Sequence, residues 1–248
     1  AVKVHLKIDT GMTRLGVPLE QAEAFLKEAN QLNSIELEGL YSHFATADEG
    51  DLSYANSQLS KFNEVVKIAK KLDIYPTFIH CSNSGAILNV KESRFNMVRA
   101  GMLLYGAFPS DEVPQELPIK PVMTFTAPVV EIRDVKAGTH ISYGGVYTTK
   151  SDTRIAVVQA GFADGVPRPW YIDGFVKFKD QNFKITGRIC MDQLMIDIGS
   201  ADIQYGDEVL IFGSNEHGSI DINHIAKKID STSYVLVTAI GIRPKRVY

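Results

Sequence analysis

Val2-Lys3-Val4-His5-Leu6-Lys7-Ile8-Asp9-Thr10-Gly11 opens the chain with a strict alternation of apolar and polar side chains and ends on a Thr-Gly loop. A period of two is the mark of a strand with one face on a core. Downstream, Leu19, Ala22, Leu26 and Ala29 recur at helical spacing, with Pro18 suited to a helix start. The cycle repeats: residues 35–41 read as a strand, Leu59, Phe62, Val66 and Ala69 as a helical stripe, and residues 78–81 as a third strand. Residues 84–88 follow as a short helix and residues 97–105 as a fourth strand. Strands alternating with helices in this way require right-handed crossovers and a parallel sheet, open or closed into a barrel.

The second half has another texture. Residues 129–130, 155–158, 175–178, 185–189, 194–198, 209–212 and 234–240 read as short strands separated by glycine and aspartate turns such as Tyr205-Gly206-Asp207. Close spacing with turn chemistry predicts an antiparallel sandwich or barrel, with only residues 223–229 helical. The proline-rich, acidic segment 108–118 reads as a linker, since proline breaks helices and ladders alike. The expected division is an α/β part over residues 1–114 and a β domain over 115–248.

The 248 residues are 45% apolar with a net charge of −3, a globular balance with no basic footprint for nucleic acid or an anionic membrane surface. No apolar run is long enough to span a bilayer. Cys81 and Cys190 stand far apart and outside any C-x-x-C pattern, which fits a reducing compartment such as the cytoplasm.

Chemistry in α/β folds gathers at strand ends. The first ends Lys7-Ile8-Asp9-Thr10-Gly11-Met12-Thr13-Arg14-Leu15-Gly16, the second Tyr41-Ser42-His43-Phe44-Ala45, the third His80-Cys81-Ser82-Asn83-Ser84-Gly85-Ala86, and the fourth at Arg99 and Gly101. Each has a plain reading as well. Arg99 is either a surface ion-pair residue or the partner of an anion or acceptor. His43 is either a core histidine or a catalyst, and Ser84 either caps a helix or helps bind phosphate there. Together they suggest one phosphate-bearing ligand. In the second half Tyr143 reads as a hairpin tyrosine, Asp164-Gly165 as a turn and Met191 as core.

The motifs Asp9-Thr10-Gly11-Met12-Thr13-Arg14-Leu15-Gly16, Ser42-His43-Phe44-Ala45-Thr46-Ala47-Asp48, Asn83-Ser84-Gly85-Ala86 and Val98-Arg99-Ala100-Gly101-Met102-Leu103-Leu104-Tyr105-Gly106 are followed in order by Ile141-Ser142-Tyr143-Gly144, Gly161-Phe162-Ala163-Asp164-Gly165 and Gly187-Arg188-Ile189-Cys190-Met191-Asp192-Gln193. Taken together they resemble the alanine racemase family of pyridoxal-phosphate enzymes. The resemblance implies the carboxyl-terminal half of a TIM-like (β/α)8 barrel, its last four βα units, followed by a mostly antiparallel β domain. It implies a head-to-tail homodimer whose sites are shared, and racemisation of L- and D-alanine by two bases, supplying D-alanine for the bacterial cell wall.

By the same resemblance Asn83, Ser84, Gly101 and Met102 would hold the cofactor phosphate, and Arg99 would donate to the pyridine nitrogen. His43 would lie between Arg99 and Tyr143, and Tyr143 of the other subunit would take the α-proton of the L-isomer. Arg14 would contact the substrate carboxylate, with Lys7 carbamylated beside it, and Met191 and Asp192 would meet the substrate from across the dimer. No metal is implied. Phe162 and Ile242 depart from the family's tyrosines at those positions. The family's Schiff-base lysine motif has no counterpart among these residues, so the expectation is a carboxyl-terminal portion of a longer enzyme, inactive alone, with Lys7 the fallback. A serine or broad-specificity racemase, or a non-catalytic phosphate-binding or assembly module, are the alternatives.

Overall fold

The opening alternation forms β1 (Val2–Asp9), in which Leu6 and Ile8 enter the core while Lys3, His5 and Lys7 line the other face. In this computed structural model, which describes residues 1–248, the chain divides into two compact units. One comprises Ala1–Leu104 with Phe108–Ile119, the other Tyr105–Ala107 with Lys120–Tyr248.

In the first unit β2 (Ile35–Tyr41) and β3 (Phe78–His80) extend the sheet from β1 in parallel, and Val17–Pro18 pairs along the other edge of β1. Helices α1 (Ala22–Asn30) and α2 (Ser53–Lys71) contribute Leu26, Phe62 and Val65 to the core beneath Leu6, Ile8 and Leu40. Each such side chain, fully buried, contributes about 1.5–3 kcal/mol. The opposite face follows from register: His5 lies opposite Gly39 and Gly39 opposite Phe78, while Lys7 lies opposite Tyr41 and Tyr41 opposite His80. Between the Val4–Leu37 and His5–Gly39 pairs the register slips, leaving Glu38 as an extra residue in a bulge.

The fourth strand expected over residues 97–105 does not form. Met97 makes a single parallel bridge to His80, the Arg99 N–H donates to the Ser82 carbonyl, and Met102–Tyr105 is a 3-10 turn. The cause is local: the Ser84 hydroxyl accepts from the Gly101 N–H at 3.0 Å, so that N–H is not offered to a ladder. The expected linker is also packed down. Ser110 donates to the Asp48 carbonyl, Glu112 accepts from the Gly50 N–H, and Val113 is buried, so the segment belongs to the first unit.

The second unit is an antiparallel sheet of β4 (Phe125–Val135), β5 (Thr153–Val158), β6 (Phe175–Phe178), β7 (Gln181–Lys184), β8 (Leu194–Asp197) and β9 (Glu208–Asn215) in the order β7-β6-β9-β4-β5-β8. The short β10 (Gly218–Ile220) pairs with β9. Asp221 caps α4 (Ile222–Lys228) by accepting from the Asn223 N–H at 2.9 Å. Two expectations fail here. Of residues 185–189 only Ile185 bridges, to Ile196, and the rest form a loop. Residues 234–240, β-branched enough to read as a strand, lie largely in α5 (Ser233–Ala239). Burial of Ser233, Leu236 and Ile240 with Val235 exposed is a helical spacing, so packing overrides propensity.

Candidate functional site

Arg99 leaves the last bridge of the parallel sheet and turns its guanidinium onto the polar face. Nη1 meets His80 Nδ1 at 2.5 Å, and Nη2 meets His43 Nδ1 at 3.0 Å. Nη2 also donates to the carbonyls of Ser42 at 2.8 Å and Cys81 at 3.3 Å, and the guanidinium carbon lies 5.4 Å from the Tyr41 ring centre. Guanidinium has only donors, so both histidine Nδ1 atoms must accept, and in the neutral rings the protons sit on Nε2. Burial, and then the charges of Arg99, Arg14 and Lys7, push the His43 imidazole down from 6.5 to about 4. Burial and the charges of Arg99 and His5 push His80 down to about 4 as well. Both are therefore neutral acceptors at physiological pH, and Arg99 is no surface ion-pair residue.

Lys7 and Arg14 belong to the same electrostatic neighbourhood. Burial, followed by the nearby Arg14 charge, lowers the Lys7 amine from its usual range. Asp9 Oδ1 accepts from the N–H groups of Gly11 at 2.9 Å and Thr13 at 3.0 Å and so fixes the turn that carries Arg14. Burial works to raise the Asp9 carboxyl, but those N–H groups and that of Met12 outweigh it and hold it below the usual range.

Beside this cluster the chain enters α3 (Ser84–Asn89). Asn83 is the cap, its side chain accepting from the Ala86 N–H at 3.0 Å, so Ser84 does not cap. The buried Ser84 hydroxyl instead faces the Gly101 N–H, with the Leu103 N–H at 3.5 Å; Met102 is buried between them in sequence. A Cβ built on Gly101 would meet only that hydroxyl, at 3.6 Å, so the space over this backbone is open.

Tyr143, Met191 and Asp192 lie in the second unit. Ser142, at φ +62°, sends its hydroxyl to the Arg188 carbonyl at 2.6 Å and sets up a short turn that leaves Tyr143 69% exposed. The Gly161–Gly165 loop is stapled to the Met191 loop: the N–H groups of Phe162 and Ala163 donate to the carbonyls of Cys190 and Met191, each at 3.0 Å. A Cβ on Gly161 would stand 2.2 Å from the Met191 carbonyl oxygen, which explains the glycine. Arg243 clamps both loops, with Asp192 at 2.5 Å and Asp164 at 3.3 Å.

Sequence reading assigned no role to His5, Glu38, His80 or Arg243. His80 and His5 were visible only as polar positions of strands, and their 2.8 Å contact depends on register. Arg243 follows Ile242 directly, and its partners Asp164 and Asp192 are distant in sequence, so nothing in the order of residues joins them.

Family models match both parts of the chain: "Alanine racemase, N-terminal domain" over residues 1–109 and "Alanine racemase, C-terminal domain" over residues 122–248. The alanine racemase of Halothermothrix orenii is 42% identical over 247 residues, which are 99% of this chain and 65% of that protein. The chain thus spans about 65% of the length of the curated relatives it matches. Among solved structures, the alanine racemase of Clostridium difficile 630 superposes with a TM-score of 0.90 at 39% identity, over 97% of this chain and 63% of that one. The Bartonella henselae alanine racemase with covalently bound pyridoxal phosphate gives a TM-score of 0.86 at 27% identity, over 99% of this chain and 66% of that one.

Proposed function

The chain belongs to the alanine racemase family, and on that premise we propose that the protein interconverts L- and D-alanine with pyridoxal 5′-phosphate, working as a cytoplasmic homodimer. The first unit then contributes the last βα units of a (β/α)8 barrel. The observation that carries the reading is the anchoring of Arg99 on four acceptors of the polar face.

The donor set fits the cofactor. Ser84, the Gly101 and Met102 backbone and the α3 start ordered by Asn83 offer a hydroxyl and N–H groups beside open space, as a phosphate requires. When bound, pyridoxal phosphate supplies an electron-withdrawing ring that acidifies the α-proton of an attached amino acid. Arg99 would donate to the ring nitrogen and, being permanently charged, disfavour its protonation. That weakens the electron sink and suppresses side reactions.

His43 accepts from Arg99 at Nδ1, so its Nε2–H is free to donate to a phenolic oxygen. It would face Tyr143 of a second copy, whose phenolate would take the α-proton of the L-isomer and become the phenol. The exposure of Tyr143 at 69%, Met191 at 55% and Phe162 at 42% supports an interface on that face. Met191 offers its N–H to the substrate carboxylate, its carbonyl being taken by Ala163. Asp192, held by Arg243, orients that peptide. Arg14 would meet the same carboxylate. The lowered Lys7 amine suits carbamylation, because the neutral amine is the form that reacts and Arg14 would pair with the product.

The test is Tyr143→Phe in the full-length homodimer with alanine in deuterated solvent. Exchange of the L-isomer's α-proton should slow at least about a hundredfold; an unchanged rate would refute the assignment. Comparing kcat/KM for alanine and serine separates the alanine-specific reading from the broad one, and absence of any turnover with cofactor bound favours a non-catalytic module.

A further inference from the structure

The polar face carries more histidine than the proposed chemistry uses. His80 Nε2 lies 2.8 Å from His5 Nδ1, and His5 Nε2 lies 3.6 Å from Glu38 Oε2. Glu38 in turn accepts from Lys3 at 2.7 Å. The directions of these contacts are not free. Arg99 can only donate, so His80 accepts at Nδ1 and bears its proton on Nε2. His80 therefore donates to His5, which accepts at Nδ1 and points its own Nε2–H at Glu38.

We infer that His5 is a positioning residue: its neutral form, oriented by Glu38, supports the one tautomer of His80 that can accept from Arg99, so protonation at His5 breaks one contact in the series that ends on the guanidinium. A protonated His5 carries hydrogen on both nitrogens, and its Nδ1–H then opposes the His80 Nε2–H. If His80 moves its proton to Nδ1, that hydrogen opposes Arg99 instead. Either way one contact in the series breaks, and no net proton need leave the interior.

The groups facing His5 are few. From β1 come Lys3 and Lys7, from β2 Glu36, Glu38 and Tyr41, and from β3 the stacked ring of Phe78 at 5.9 Å and His80, with Arg99 beyond. Gly39 makes the seat, since a Cβ there would fall 2.3 Å from His5 Nδ1. His80, neutral down to about 4, transmits the change without titrating.

The functional consequence rests on the assignment of Arg99 to the cofactor ring, so the test separates the two. In the full-length homodimer labelled with 15N-histidine, without added ligand, His80 should show an acceptor-type Nδ1 and a hydrogen-bearing Nε2 at neutral pH. Its signals should change with the midpoint of His5. In His5→Asn, whose side-chain carbonyl replaces the Nδ1 acceptor but cannot be protonated, the His80 signals should hold steady across that range. A hydrogen on His80 Nδ1 at neutral pH, or signals that ignore the His5 titration, would overturn the inference. With the relay observed, an acid limb of kcat/KM for alanine that moves to lower pH in His5→Asn supports its role at the site. An unmoved limb leaves the relay standing and overturns the Arg99 assignment.

Discussion

The two units hold their functional groups in opposite ways. On the polar face of the parallel sheet, Arg99, His43 and His80 are fixed by side-chain contacts to one another and to carbonyls. In the antiparallel unit the backbones of the Tyr143 and Met191 loops are fixed, by Ser142, Phe162 and Ala163, while the Tyr143 and Met191 side chains stay exposed. The first arrangement tunes proton affinity, because burial and neighbouring charge act on groups that cannot move away. The second sets position and leaves chemistry to whatever the loop meets. Internal groups should therefore respond to substitution through titration, and presented groups through placement.

The largest effect should come from removing the hub. Arg99→Met strands two histidine acceptors and two carbonyls and should cost about 3–4 kcal/mol in transition-state stabilisation, measured as a loss of kcat/KM of two to three orders of magnitude. Its companion signature is a His43 titration rising from about 4, read by NMR; an unmoved His43 would mean that burial, with Arg14 and Lys7, sets it without Arg99. Next is Gly161→Ala, where a Cβ meets backbone rather than a yielding side chain. It should destabilise the second unit by about 1–3 kcal/mol in urea melts and leave the His43 titration unchanged.

Stability against pH gives a further test. Both histidines are lowered, so between about 6.5 and 4 the unfolded chain binds protons that the folded chain refuses. Stability should fall as pH drops through that window, the histidines' share of the loss being complete near pH 4, and denaturant midpoints at neutral pH and near pH 4 would measure the drop. A profile flat through the window would contradict neutral histidines in the folded state. The smallest effect belongs to Arg243→Ala, an exposed clamp, which should raise KM for alanine less than about tenfold with little change in kcat. A fall in kcat alone would show that the clamp acts on the reaction instead of on substrate placement.

Much of this was legible in the order of residues. Val2 to Asp9 declared a half-buried strand, and Leu59, Phe62 and Ala69 a helix, because burial has a period the chain must respect. Arg99, His43 and Ser84 stood out as polar residues at strand ends, whereas Tyr143 read as a hairpin tyrosine and was singled out only by the resemblance. What was illegible depends on three-dimensional context. Residues 234–240 have strand propensity, yet Leu236 and Ile240 find a helical partner surface. Residues 97–105 have the pattern of a strand, yet a single hydroxyl takes the Gly101 N–H. His5 differs in sequence from any exposed strand histidine by nothing at all, since its partner is set by register across two strands.

The slip in pairing between Val4 and His5 has a consequence for how this face can change over time. It places two successive residues of β2 against the same imidazole: Glu38, which offers a carboxylate, and Gly39, whose bareness leaves room for the ring. Leu37 and Leu40, on either side, keep their places among the apolar side chains. An extra residue of this kind lies outside the alternation that folding requires, so it can be exchanged, recharged or deleted while the apolar side reads the same. The sheet thus keeps one ledger for its architecture and a second, separately editable, for the chemistry it presents.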